Sequence, residues 1–162
     1  MVPNLTDLTG ATPTAEEEAQ QAGSRQPVPT SVAISPDGTI TVVLLSEEWN
    51  GPSILDYQPN GTYTPRATQL SMIVDATYGP DGLLYVSQLT ADFSGEMPAP
   101  GAVMRIDADG TATSVVEGLF LPHGIAFHPQ SGNLFVTTNS IISGPDAPLG
   151  MLVRFDRVAN PA

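Results

Sequence analysis

Three times in 162 residues the chain writes the same turn and strand. "SPDGTITVVL" (35–44) and "GPDGLLYVSQ" (79–88) have nearly the same shape, and "HPQSGNLFVTT" (128–138) is a looser third copy. The units around them repeat as well. "SVAISPDG" (31–38), "DATYGPDG" (75–82) and "GIAFHPQSG" (124–132) each read as a strand and a turn. "TITVVLLS" (39–46), "LLYVSQLT" (83–90) and "NLFVTTNS" (133–140) read as the returning strands, and "SILDYQPNG", "AVMRIDADG" and "MLVRFDRVAN" as third strands. Fourth strands follow only twice, "TYTPRATQL" (62–70) and "TATSVVEGL" (111–119).

The spacing is regular. Asp37 to Asp81 is 44 residues, and Gly61 to Gly110 and Arg105 to Arg154 are both 49. Four strands per unit with a period in the forties is the pattern of β-propeller blades. A four-stranded sheet has two apolar faces and cannot cover both alone, so copies must stack for each to stay dry. The expected fold is all-β: a partial β-propeller of about three four-stranded blades, half of a six-bladed ring. The blades are expected at about 28–70, 71–119 and 120–162, the last without its outer strand.

Composition agrees with a turn-rich β fold. Apolar residues make up 41%, and Gly (15) and Pro (16) are plentiful. In the Pro-Asp-Gly turns, Pro presets φ, Asp bonds to nearby backbone, and Gly takes positive φ. "DADG" (107–110) resembles the start of a calcium loop, but no Glu ligand follows at the proper distance, so it reads as another structural turn. The first 27 residues are polar. They read as a linker or tail in which "TAEEEAQQ" offers a short helix capped by Thr14 and Glu17.

Charge and residue usage remove several functions. Seventeen acidic residues against five basic ones, all Arg, give a net charge of −12, which repels nucleic acid and anionic membranes. With no cysteine there is no disulfide, thiolate metal site or Cys nucleophile. No stretch is long and apolar enough for membrane insertion, and the N-terminus lacks the basic region and apolar run of an export signal. There is no Gly-x-Ser-x-Gly, no phosphate-binding glycine loop, no zinc-ligand spacing, and no Lys for Schiff-base chemistry. Asn4 and Asn60 match the glycosylation pattern, Asn60 in a tight turn.

"VPTSVAISPDGTITVVLLS", "VDATYGPDGLLYVSQL" and "GAVMRIDADGTATSVVEGLFLPHGIAFHPQSGNLFVTTN" resemble the repeats of the scytonemin-cluster (ScyD/ScyE-type) propeller proteins. More distantly they resemble NHL, gluconolactonase-like and streptogramin-lyase-like propellers. The likeness covers about residues 28–157. It implies a six-bladed ring in a longer, exported chain, hence an extracellular or periplasmic location, with this chain as a C-terminal half. An open arc of three blades would need closing, by a second copy or by a missing N-terminal half. Residues 4–9, "NLTDLT", are a further source of an edge strand.

Strands of a blade run A to D from the axis outward, and the B–C and D–A connections share one face. The B–C loops "EEWNGP" (47–52), "ADFSGEMPAPG" (91–101) and "IISGPDAPLG" (141–150) are long and unlike one another. Variable loops on a rigid scaffold are the usual place for binding. They carry Glu47, Glu48, Trp49, Asp92, Phe93, Glu96 and Asp146, read here as a small-molecule or protein ligand surface, against the plain reading of solvated acidic loops. His123 in "LPHG" stands at the entrance of an inner strand, where Thr30 and Val74 occupy the matching positions. The resemblance to streptogramin-lyase-like propellers makes His123 the catalytic candidate for acid–base chemistry. The plain reading is a pore-lining histidine. His128 lies in a turn on the opposite face and cannot pair with it. In gluconolactonase-like propellers an Asn after Pro and an acidic residue after the next strand help hold a divalent metal. Here those places read His123 and Thr138 or Asn139, a poor set for a hard cation. No metal or other cofactor is therefore expected from the residues, calcium being the ion the lactonase-like resemblance would imply. The favoured function is a non-catalytic binding or scaffold module. The alternative is a lactonase- or lyase-like enzyme at the central opening.

Overall fold

The computed structural model of the chain describes residues 28–45, 52–58, 60, 62–68, 70–92, 94, 97–139 and 150–160. Among them the regular structure is all strand. The first sheet contains β1 (Pro29–Ile34), β2 (Ile40–Leu44), β3 (Pro52–Tyr57) and β4 (Tyr63–Thr68). The second contains β5 (Ile73–Tyr78), β6 (Leu84–Gln88), β7 (Gly101–Ile106) and β8 (Ala112–Leu119). The third contains β9 (Ile125–Phe127), β10 (Leu134–Thr138) and β11 (Met151–Phe155). Each sheet is an antiparallel meander in chain order. The expected third blade without an outer strand is thus a three-stranded sheet. The tail before residue 28, including the expected short helix and "NLTDLT", lies outside the described residues.

The turns form as their residues require. Asp37, Asp81 and Asp109 each accept, through Oδ1, the backbone N–H two residues on, at 3.1, 3.1 and 2.9 Å. Gly38, Gly82 and Gly110 adopt φ of 90°, 77° and 85°, which a Cβ would oppose. Ser35 and the Thr39 amide hold the Asp37 carboxyl below the usual carboxylate range. Asn60 performs the same role in the β3–β4 turn, accepting from Thr62 N at 3.0 Å. Pro65 sits in the outer strand β4, at the sheet edge, where its missing N–H breaks no ladder.

The sheets fan around the strands nearest the axis. β1 lies against β5, and β5 against β9. Asp75 of β5 ties all three. Its Oδ1 accepts from Ser31 Oγ on β1 at 2.6 Å and from Ala76 N at 2.9 Å. Its Oδ2 accepts from Ile125 N on β9 at 2.8 Å. Gly124 lies beside the same oxygen, with Asp75 Oδ2 3.9 Å from where a Cβ would stand. Thr30 adds a bond to Ile73 O at 2.8 Å.

Apolar packing fills the wedges between sheets. Val43 and Ile54 of the first sheet share a buried cluster with Ile73, Ala76, Leu84, Val86 and Ile106 of the second. Tyr85 and Val103 of the second share another with Ile125, Leu134 and Val136 of the third. Burial of each Val, Leu or Ile among them is worth roughly 1.5–3 kcal/mol. The two seams differ at equivalent positions. In the first, Tyr78 OH donates to Thr41 Oγ1 at 2.8 Å, since the single Thr41 proton goes to Asp56 Oδ1 at 2.7 Å. Arg66 Nε donates to Asp56 Oδ2 at 2.7 Å, and its guanidinium stands 5.9 Å from the centre of the Tyr78 ring. In the second seam Tyr85 and Phe127 take the places of Thr41 and Tyr78. Their rings meet edge-on, with centroids 4.7 Å apart.

Two predictions follow from these ties. Asp75→Ala removes the shared acceptor of three strands, and hydrogen bonds to charged groups are worth about 1.5–3 kcal/mol each, so stability in urea should fall by about 2–4 kcal/mol, with less lost in Asp75→Asn. Burial, then the bond and charge of Asp81, raises the Tyr85 phenol well above its ordinary value. Because the folded value lies above the unfolded one, the Tyr85 contribution is complete below about pH 10 and declines above it. Tyr85→Phe should flatten the alkaline limb of the stability–pH curve measured by denaturant titration.

Candidate ligand-binding face

The faces of the arc are built differently. On one face lie the short turns at 35–39, 79–83, 107–111 and 128–133, each closed by its own backbone bonds. On the other lie the strand ends at 44–45, 88–92 and 138–139 and the chain's path between sheets. Here a relay of backbone bonds crosses from sheet to sheet. Leu45 N donates to Val28 O, Met72 N to Leu45 O, and Leu89 N to Met72 O. Side chains reinforce it: Ser53 Oγ donates to Leu70 O, Gln88 Nε2 to Ser71 O, and Ser87 Oγ to the carbonyl of His123. Beneath the relay Met72, Val74, Leu89 and Leu121 form an apolar layer, flanked by Leu45 and Phe120.

This face also holds backbone strain. Met72, Leu121 and Asn139 have φ of 58°, 46° and 58°. Met72 and Leu121 are 49 residues apart, the same point of successive repeats, and both side chains are buried. Left-handed backbone costs a bulky residue of order 1–3 kcal/mol and persists only where the surroundings hold it. The relay bonds and the apolar layer do so here. Gly101 opens β7 on this face because a Cβ there would stand 2.2 Å from Gln88 O.

The structure places three of the sequence-derived site residues. His123 is exposed; its N–H donates to Thr137 O at 2.8 Å and its carbonyl accepts from Ser87, so its backbone is fixed on both sides. Asn139 is buried, and its N–H donates to Phe120 O at 3.0 Å, which brings the root of the 140–149 connection beside the approach to His123. Thr138, next to it, is also buried, with its hydroxyl lacking a hydrogen-bond partner among the described residues. Asp92 is exposed. Its carboxylate accepts from Ser94 N at 2.8 Å and Ser94 Oγ at 2.7 Å, which fixes a local turn. Thr90, fully buried, anchors the same loop through Asp92 O and Ala99 O at 2.9 and 2.6 Å. Glu47, Glu48, Trp49, Phe93, Glu96 and Asp146 lie outside the described residues.

The fit to a hard cation is poor among the described residues. No three His, Asp or Glu side chains gather there. Asp75, on the inner strand β5, is engaged by Ser31, Ala76 and Ile125. His123 and Asn139 offer one imidazole and one amide, and calcium needs several oxygens, carboxylates among them. Two features of this face escaped the sequence reading: Asp75 and the strained pair Met72 and Leu121. The signal for Asp75 was a lone charge inside the apolar strand "MIVDATY".

Thr90→Val should leave the sheets intact and release the loop it pins. Amide exchange at residues 91–100 should quicken by an order of magnitude or more, while the β5 and β6 amides keep their protection.

No protein-family model matches the chain, and no curated protein matches it. Solved structures do. One is described as a candidate gluconolactonase, with 21% identity and a TM-score of 0.52, covering 77% of this chain and 47% of its own. A second, a candidate glucose dehydrogenase-type oxidoreductase from Thermus thermophilus, has 21% identity and a TM-score of 0.56, covering 86% and 46%. A third, the PQQ-bound aldose sugar dehydrogenase of Streptomyces coelicolor, has 18% identity and a TM-score of 0.57, covering 86% and 47%. The chain spans about half the length of each. At this identity the likeness speaks for fold alone, and it agrees with the fanned sheets: the chain folds as an open, partial β-propeller of three blades.

Proposed function

We propose that the chain is a binding module whose ligand surface is the face carrying the long B–C connections, around His123 and the roots of the 91–100 and 140–149 segments. The observation that carries this reading is the relay on that face. It ties Leu45, Leu89 and Asn139, at the loop roots, to Val28, Met72 and Phe120 on the paths into the sheets, with Met72 bonded back to the first sheet through Leu45 O, beside the left-handed residues Met72, Leu121 and Asn139. Rigid roots under dissimilar loops are the arrangement that binding surfaces use. Among the described residues the opposite face has short, self-closed turns. A small molecule or a protein is the ligand class, reached by His123 and Asp92, both exposed. The motifs shared with the scytonemin-cluster propellers support a role beside secondary-metabolite handling outside the cytoplasm.

The enzymatic alternative rests on the structural neighbours, a candidate gluconolactonase, a candidate glucose dehydrogenase-type oxidoreductase and an aldose sugar dehydrogenase, and on His123 standing exposed at the entrance of β9. One titration separates the two. Amide spectra of the chain are recorded with a panel of sugars, sugar lactones and calcium. A binding module gives shifts clustered at residues 70–74, 89–92, 120–124 and 138–139, with the ligand recovered unchanged. Shifts confined to the turn face would overturn the assignment of the surface. Turnover of a lactone, abolished in His123→Ala, would overturn the non-catalytic reading.

A further inference from the structure

The two ends of the arc carry the same interface that the chain uses twice internally. On the first sheet Val32, Ile34 and Ile40 are exposed, at 60%, 67% and 39%. Forty-four residues on, Ala76, Tyr78 and Leu84 occupy the same strand positions in the second sheet, and there all three pack against the first-sheet seam. The registers agree: Ile40 faces Tyr57 across β2 and β3, as Leu84 faces Ile106 across β6 and β7. Val42, Leu55 and Tyr63 extend the patch as an apolar cluster on that sheet. Their counterparts in the second sheet, Val86, Met104 and Ala112, belong to the inter-sheet core. Among the described residues, the leading face of the arc is thus a seam surface without a neighbouring sheet.

The trailing face is the complement. Leu152 of β11 is 68% exposed, although its counterparts in the first two sheets, Ile54 and Val103, are both fully buried. The three occupy one register position, opposite Val43, Ser87 and Thr137. Beside them Phe135 stands where Thr41 and Tyr85 stand in the two internal seams. One chain therefore presents, at its two ends, both halves of a sheet-to-sheet contact.

We infer that a second copy of this chain occupies both ends. The trailing sheet of each copy packs on the leading sheet of the other, through two identical contacts related by a two-fold axis along the propeller axis. A head-to-tail contact normally propagates, but it closes when the rotation per chain is half a turn. Three blades each make a ring of six, and the structural neighbours, with about twice the length of this chain, hold that much structure in one polypeptide. Val32, Ile34, Ile40 and Leu152, which would meet, are apolar, and Arg154, opposite Phe135 on the trailing face, is paired with Asp156. The net charge of −12 per chain opposes association only at longer range, where salt screens it.

The test uses the full chain. Light scattering behind size exclusion should give twice the 16.9 kDa chain mass, with the dimer fraction rising as salt is raised. Leu152→Asp should give the monomer mass with an unchanged far-ultraviolet spectrum, since Leu152 is exposed in the single chain. The chain has no cysteine, so introduced ones report geometry directly. Mixed V32C and L152C single variants should cross-link to each other, and neither to itself. A monomer mass at every salt and concentration would overturn the inference. So would V32C cross-linking with itself, which would mean a face-to-face dimer. A monomer that becomes a tight complex only with an added upstream half-propeller would assign both faces to that partner instead.

Discussion

The carboxylate of Asp75 and the strand that carries it hold the arrangement together. β5 packs against both β1 and β9, and its single acidic side chain accepts hydrogen bonds from Ser31, Ala76 and Ile125. The inner strands of a propeller approach too closely for large side chains. Serine, aspartate and glycine stand at the equivalent points 31, 75 and 124, and between them they fit two short side chains and an open backbone. The long-range order of the fold, and the position of the loop face relative to the axis, depend on that convergence.

Outward from the axis, the same geometry is held by different chemistry. The first seam uses a relay from Tyr78 through Thr41 to Asp56 and Arg66. Burial pulls the Arg66 guanidinium down, but the Asp56 bond and the charges of Tyr78 and Asp56 outweigh it and leave it raised. The second seam substitutes two aromatic rings. A polar relay fixes orientation at a desolvation cost, whereas ring packing gains area with looser direction. That both serve at one position explains why the repeats diverge in sequence while the sheets keep their spacing.

The repeat was legible because turn chemistry is local. Pro-Asp-Gly and its variants dictate backbone within four residues, and Asp37, Asp81 and Asp109 make the bonds their positions require. The eleven strands among the described residues followed from the apolar segments between those turns. What the sequence concealed was contact between residues 43 to 50 apart, such as Thr30 with Ile73 or Asp75 with Ile125. Those contacts are set by how sheets fan, not by neighbours in the chain. Met72 and Leu121 were hidden for a related reason: nothing in a Met or a Leu announces positive φ, and only the enclosing relay imposes it. Of the candidate site, the position of His123 was legible from the Pro-His-Gly approach to an inner strand, while the burial of Asn139 depends on the sheet beside it.

The most direct measurement of the fan is a set of proton–proton contacts seen by nuclear Overhauser spectroscopy in solution. Cross-peaks joining the Ile125 amide to the Asp75 side chain, Thr30 to Ile73, and the Tyr85 ring to that of Phe127 would place three separate sheets around one centre, as the account requires. Backbone cross-peaks pairing β4 directly with β5, as neighbours in one unbroken sheet, would contradict it.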